Sequence, residues 1–177
     1  MMRKKPMLAY PVSSKPIDYT QPVFMQPKLD GVRCLIQYDN SVVTAYSRTG
    51  KEWKNIDHIL QSLEPFFQDN PDVILDGELY NHALKDDFEK IISCVRKTKP
   101  TPIDRAESRK LVQFHCYDIV DEATPFADRI QWLNKEFARF PYGVRTVNTT
   151  LIKYEFDANS FHESCLERGY EGSILRL

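Results

Sequence analysis

Val23-Phe24-Met25-Gln26-Pro27-Lys28-Leu29-Asp30-Gly31-Val32-Arg33 reads as a strand, a turn and the opening of a second strand. Val23 to Lys28 is strand-like, Asp30-Gly31 turns the chain, and Val32 to Tyr38 runs on as strand two. Polar Asp39-Asn40-Ser41 then returns the chain through Val42 to Ser47, which makes an antiparallel hairpin. The turn carries unusual chemistry. A lysine amine is a competent nucleophile only when burial or nearby positive charge lowers its pKa. Gly31 has no Cβ, so it turns sharply or lets backbone come close to a neighbour. Arg33 presents a planar fork of donors suited to phosphate or sugar oxygens.

Downstream, Ile56, Ile59, Leu60 and Leu63 follow a helical period that Pro71 closes. Val73 to Tyr80 reads as a strand. Asp86 and Asp87 stand where they can cap a helix with Phe88, Ile91, Ile92 and Val95 on its inner face. Lys97 to Arg109 is polar with two prolines and reads as an exposed loop. Leu111 to Val120 is the longest strand candidate. A helix near Ala127–Phe140 turns Ile130, Leu133 and Phe137 inward. Strands near Arg145 and Leu151–Tyr154, a helix over Phe161–Arg168 and a final strand from Ser173 complete the order. This pattern predicts one α+β domain of mostly antiparallel strands packed against helices.

Composition narrows the function classes. The 177 residues are 42% hydrophobic and 28% charged, with a formal net charge of −1, so no global basic field advertises nucleic acid. The basic run of Arg96, Lys97, Lys99, Arg105, Arg109 and Lys110 is the local patch that faces DNA, if any does. Cys34, Cys94, Cys116 and Cys165 form no CxxC pair and no zinc pattern with the four histidines. They read as buried thiols of a reducing cytoplasm. The basic start Met1-Met2-Arg3-Lys4-Lys5 leads into prolines rather than an apolar run, and no stretch is long enough to span a membrane.

Four clusters follow the lysine. Ser47-Arg48-Thr49-Gly50-Lys51 closes the hairpin and sets an arginine beside a turn. Leu75-Asp76-Gly77-Glu78-Leu79 puts two carboxylates on one strand face, a pair able to hold a divalent cation or a ribose hydroxyl. In Phe114-His115-Cys116-Tyr117-Asp118, His115 and Tyr117 share one face and Phe114 and Cys116 the other, so one side can stack on a planar base. Gly169-Tyr170-Glu171-Gly172-Ser173-Ile174 sets a carboxylate between glycines at a helix-to-strand junction. Taken singly, each has a plain structural account: a solvated turn, a strand end, a core aromatic, a helix cap.

In this order and at these spacings the five clusters resemble the covalent nucleotidyltransferases, specifically ATP-dependent DNA ligases of the small viral or phage type. The resemblance runs from Lys28 to Arg176 and implies the ATP-grasp-like nucleotidyltransferase fold of a ligase adenylation domain. Lys28 is similar to the lysine that attacks the α-phosphate of ATP, expelling pyrophosphate and forming lysyl-AMP. Arg33 and Arg48 resemble arginines that touch the nucleotide and later the nick. Glu78 resembles the acid on the ribose hydroxyls, and Tyr117 the aromatic that stacks on adenine with Ile174 across the base. Gln26 resembles the polar residue at the adenine edge, its amide offering both donor and acceptor. Glu171, with Glu78 beside it, resembles the carboxylate near a catalytic Mg2+ or Mn2+. The resemblance also implies nicked double-stranded DNA as the second substrate and a monomeric enzyme.

The family pattern continues to a fifth motif with two lysines and to an OB-type domain. The chain reads as breaking off after the fourth motif, within a strand-like run at Ser173–Leu177. The expectation is an incomplete adenylation domain over 1–177 that binds adenine nucleotide but self-adenylates weakly or not at all, and does not seal nicks efficiently by itself. An mRNA-capping guanylyltransferase shares the lysine motif but usually carries Asp-Gly where this chain has Glu171-Gly172. NAD-dependent ligases typically lack the arginine matched by Arg33. The capping enzyme is the closest rival; an RNA ligase is the other alternative, although Asp30-Gly31 and the overall spacing suit DNA ligases better.

Overall fold

The computed structural model describes residues 1–177. Its first 22 residues are irregular apart from one 3-10 turn at Val12–Ser14. Strands β1 (Val23–Lys28), β2 (Val32–Asp39) and β3 (Val42–Tyr46) follow as the sequence predicts. The β2–β3 turn holds Asn40 and Ser41 at φ 49° and 65°, the backbone whose twist suits a two-residue hairpin. Next come α1 (Asp57–Asp69), β4 (Ile74–Tyr80), a 3-10 turn at His82–Leu84 and α2 (Phe88–Val95). Helix α1 runs through Pro65, because the carbonyl this leaves without a helical donor belongs to exposed Gln61. Asp87 occupies the N-cap of α2, but its side chain makes no capping bond.

The stretch read as an exposed loop, Lys97 to Arg109, is mostly helix: α3 spans Pro102–Leu111. Thr101 and Asp104 close a reciprocal capping box, and Pro102 sits where the helix needs no N–H, so the prolines that suggest a loop mark a helix start. The helix also draws the basic run into ion pairs, Lys97 with Asp104 and Arg105 with Asp57. Strand β5 (Gln113–Ile119) and helix α4 (Phe126–Glu136) come next. Helix α4 stops short of the predicted Phe140, with Phe137 as its C-cap at φ −99° and ψ 29°. Strands β6 (Val144–Thr146) and β7 (Thr150–Ile152), helix α5 (Glu155–Glu167) and strand β8 (Gly172–Arg176) complete the chain. Helix α5 begins six residues before the predicted start at Phe161. Glu155 and Asp157 lie in its first turn, where acids favour the helix dipole.

The strands form two sheets, β3-β2-β4-β5-β6 and β7-β1-β8. All pairings are antiparallel except β5 with β6. The main core lies beneath the five-stranded sheet, where Ile36, Leu75, Leu79 and Phe114 meet Ile59, Leu63 and Phe67 of α1 and Ile130 and Leu133 of α4. A smaller core of Val23, Met25, Ile152 and Ala158 joins the three-stranded sheet to α5. Lys28 ends the central strand of the small sheet, and Arg33 opens the second strand of the large one. The turn between them therefore ties the two layers together, and the functional residues gather there.

Candidate active site

Lys28 and Glu171 are 143 positions apart, and the β1–β8 ladder makes them neighbours. Lys28 pairs with Gly172 in that register, and the Glu171 N–H donates to the Lys28 carbonyl at 3.2 Å. The Lys28 Nζ donates to Glu171 Oε1 at 2.6 Å. Both side chains are a little under half exposed, so the pair lies near the surface and not in the core. Glu171 Oε2 carries no protein hydrogen bond.

Gly31 draws this turn onto the large sheet. A Cβ there would lie 2.4 Å from the Leu79 carbonyl oxygen and 2.7 Å from Glu78 Cγ, so only glycine permits the approach. The close contact the sequence suggests is thus made with the chain's own strand β4. Across the β2–β4 ladder Arg33 faces Glu78 in register. The guanidinium grips Asp76 instead, with Nε and Nη2 each 2.6 Å from a carboxylate oxygen, and Nη2 also reaches the Met7 carbonyl at 3.0 Å. Burial pulls the Asp76 carboxyl upward while Arg33 pulls it down, and the Arg33 guanidinium is itself raised. Two charge-assisted bonds on one fork favour the ionised pair.

Glu78 has no such partner. Desolvation pushes its carboxyl from 4.5 up to about 8; Arg33 opposes this, while Asp76 and Glu171 add to it. Its Oε2 accepts a 3.4 Å hydrogen bond from the Tyr117 hydroxyl. Burial, then Asp76 and Glu78, lift the Tyr117 phenol well above its ordinary value. The guanidinium carbons of Arg33 and Arg176 lie 5.3 and 5.0 Å from the Tyr117 ring centroid. Lys28, Glu171, Glu78, Arg33 and Tyr117 thus converge at one cleft.

Three other predicted residues stand differently. Gln26 is buried, and its amide is fully engaged: Nε2 donates to the Tyr117 carbonyl at 3.0 Å and to Thr149 Oγ1 at 2.9 Å, while Oε1 accepts from Arg176 at 3.1 Å. It ties the two sheets together at the base of the cleft. Ile174 is opposite Gln26 in the β1–β8 register and half-buried. Arg48 sits in the exposed turn after β3, without a hydrogen bond or ion pair to the group. No three His, Cys, Asp or Glu side chains cluster closely enough to form an all-protein metal cage. Glu171, alone or with Glu78, suits the way magnesium is held, by one or two carboxylates plus substrate phosphates.

Asp118 and Arg129 were not anticipated as a pair. Asp118 is buried and accepts from Arg129 Nε and Nη2 at 2.8 and 2.9 Å, with Arg176 Nη1 at 3.8 Å. The signal was legible: Phe114, Cys116 and Asp118 alternate onto the buried face of β5, and an acid there demands a partner. A separate hollow of about 250 Å3, lined by Asn55, His58, Gln61 and Arg105 among others, shares no residue with this cleft.

The family described as ATP dependent DNA ligase domain matches residues 6–177. The DNA ligase of African swine fever virus is 29% identical over 163 residues, which cover 90% of this chain and 37% of that protein. The chain therefore spans little more than a third of that relative's length. Among solved structures, one from a study of Lig E DNA ligases superposes with a TM-score of 0.72 at 20% identity, covering 98% of this chain and 62% of that one. A Chlorella virus DNA ligase-adenylate gives 0.67 at 16% identity, over 98% and 60%. These two likenesses establish the nucleotidyltransferase fold expected from the motifs. The capping-enzyme and RNA-ligase alternatives are not favoured. With its lysine-bearing turn, its paired carboxylates and a family match over nearly its whole length, the chain belongs to the ATP-dependent DNA ligase domain family.

Proposed function

We propose that this chain carries the nucleotide-transfer part of a DNA ligase, with Lys28 as the residue that becomes covalently adenylated. The observation that supports the reading best is the Lys28–Glu171 pair, 2.6 Å apart near the surface, beside the cleft lined by Glu78, Arg33 and Tyr117. The Lys28 Nζ forms a bond to the α-phosphorus of ATP, the bond from that phosphorus to the bridging oxygen breaks, and pyrophosphate leaves. A proton must leave the amine, and the Glu171 carboxylate is the acceptor nearest to it. Glu78 takes the ribose hydroxyls, Tyr117 and Ile174 flank the base, and Arg33 holds sugar or phosphate while Asp76 fixes its plane. Arg48, free in its turn, awaits the polynucleotide. Magnesium or manganese beside Glu171 would spread the charge of the transferring phosphoryl group.

In the whole protein the AMP then passes to the 5′-phosphate of nicked duplex DNA, and the 3′-hydroxyl displaces it to seal the strand. We assign this to a monomer working in a reducing compartment such as the cytoplasm, consistent with four buried, unpaired cysteines. No helix is long and apolar enough to cross a membrane. The test is incubation of the chain and a Lys28→Ala variant with magnesium and α-labelled ATP or GTP, followed by a denaturing gel. Protein-bound label from ATP alone, weak in this chain and absent from the variant, is expected. Label from GTP, or label that survives in the variant, would refute the assignment.

A further inference from the structure

Glu171 hangs on a turn with little to hold it. Its side chain is nearly half exposed, and Gly169 before it has φ +81°. The main-chain bonds at this point are Gly169 N–H to Leu166 O, Tyr170 N–H to Cys165 O and Glu171 N–H to Lys28 O. A long, flexible carboxylate on so light a support loses its aim unless something else braces it.

The brace comes from the other sheet. His82 lies just past the end of β4, the strand that carries Glu78. Its ring stacks on the ring of Tyr170, centroids 4.3 Å apart and planes 25° from parallel. The His82 ring is itself pinned, because its Nδ1 and the Tyr80 hydroxyl are 2.7 Å apart in a hydrogen bond. Tyr80 is buried, so the group that pins the ring is itself fixed in the fold. Beside the stack, the Lys85 stem presses on Gly169, where a Cβ would meet Lys85 Cδ and Cε at 2.7 Å. The segment after β4 therefore grips the Gly169–Glu171 turn at two points, side chain on side chain and stem on backbone.

We propose that His82 and Tyr170 are positioning residues that fix the Glu171 carboxylate against Lys28 and so set the spacing of the two carboxylates across the cleft. Neither ring reaches Lys28 itself. They act through the turn: Tyr170 is held, so the adjacent Glu171 N–H stays bonded to the Lys28 carbonyl and its carboxylate stays at the amine. Gln26 and Arg176 hold the sheets together at the base of the cleft, and the His82–Tyr170 stack does so at the end where the lysine reacts. The inference rests on the reading of Lys28 as the adenylated residue.

The test uses the full chain and reads two quantities. The first is the single-turnover rate of label transfer from ATP, measured across ATP concentrations for wild type, His82→Ala, His82→Phe and Tyr170→Leu. His82→Ala and Tyr170→Leu should each slow the rate at saturating ATP by about tenfold, the scale of one aromatic pair. Half-saturation in ATP should move less than about twofold, because the stack acts on the reacting end and not on nucleotide affinity. His82→Phe keeps the stack without the Tyr80 bond and should recover most of the rate. Combining His82→Ala with Tyr170→Leu should cost little more than either alone, since the two form one unit.

The second quantity needs no catalysis: hydrogen exchange of the Glu171 amide. It should quicken about tenfold in His82→Ala, while amides in the core strands β2 and β4 keep their protection. An unchanged rate together with an unchanged Glu171 amide in His82→Ala would overturn the proposal. A rise in half-saturating ATP at constant maximal rate would overturn it too. Failure of wild type to take label, repeated in a chain extended through the rest of the ligase, would sink the reading of Lys28, and the Glu171 amide would still decide the brace.

Discussion

Glu78 makes the acid most exposed to test, because burial raises its carboxyl from 4.5 to about 8. Between those values the unfolded chain has released the proton and the folded chain still holds it. The folded state thus binds more protons, and stability falls as pH rises from about 4.5 to about 8. A shift of that span sets a ceiling of about 5 kcal/mol on the effect. Local relaxation around the half-buried carboxyl reduces this, and we expect about 1–2 kcal/mol. Glu78→Gln keeps the size of the side chain and an acceptor for the Tyr117 hydroxyl but cannot ionise. Urea unfolding at pH 5, 6.5 and 8.5 should give wild type and variant equal stability at pH 5. The variant should become the more stable by about 1–2 kcal/mol at pH 8.5. His115 runs the other way, since burial lowers its imidazole to about 4 and stability rises with pH through that window. That term is common to both proteins and cancels in the difference. A difference between wild type and Glu78→Gln that is flat from pH 5 to 8.5 would refute the reasoning.

Asp76→Ala strands the Arg33 guanidinium, whose side chain is 22% exposed, and should cost about 2–4 kcal/mol in chemical denaturation; adding Arg33→Met should return most of it, and no relief would show that the ion pair is not what Asp76 contributes. Gly31→Ala forces a Cβ to within 2.4 Å of the Leu79 carbonyl oxygen and should lower stability by about 2–3 kcal/mol, with a loss under about 0.5 kcal/mol counting against the close packing. Lys28→Ala breaks a half-exposed ion pair and should leave the unfolding midpoint within about 1 kcal/mol of wild type while abolishing label uptake. Ser41→Gly relieves a non-glycine residue at φ 65° in the hairpin turn and should raise stability by about 0.5–1 kcal/mol in the same assay.

Periodicity along the chain was enough to read the strand order from Val23 to Ile119 and the inward faces of α2 and α4, because side-chain burial repeats every two residues in strands and about every 3.6 in helices. It failed at Lys97–Arg109, where a polar helix is held by a Thr101–Asp104 cap and not by an apolar stripe. The identities that carry chemistry were local too. Lys28, Arg33, Glu78, Tyr117 and Glu171 could be picked out because their motifs are short and ordered. What each of those side chains does in the folded chain depended on partners far away in sequence. Gln26, expected at a ligand's edge, spends its amide on Tyr117, Thr149 and Arg176. Arg33, expected to contact the nucleotide, has its plane fixed by Asp76. The sequence by itself thus determined the family, most of the order of elements and the candidate residues. Only the tertiary structure decided which carboxylate meets Lys28, which acid loses its charge to burial and which rings brace the turn. Those outcomes depend on desolvation and on contacts across 40 to 150 positions, and no local pattern encodes them.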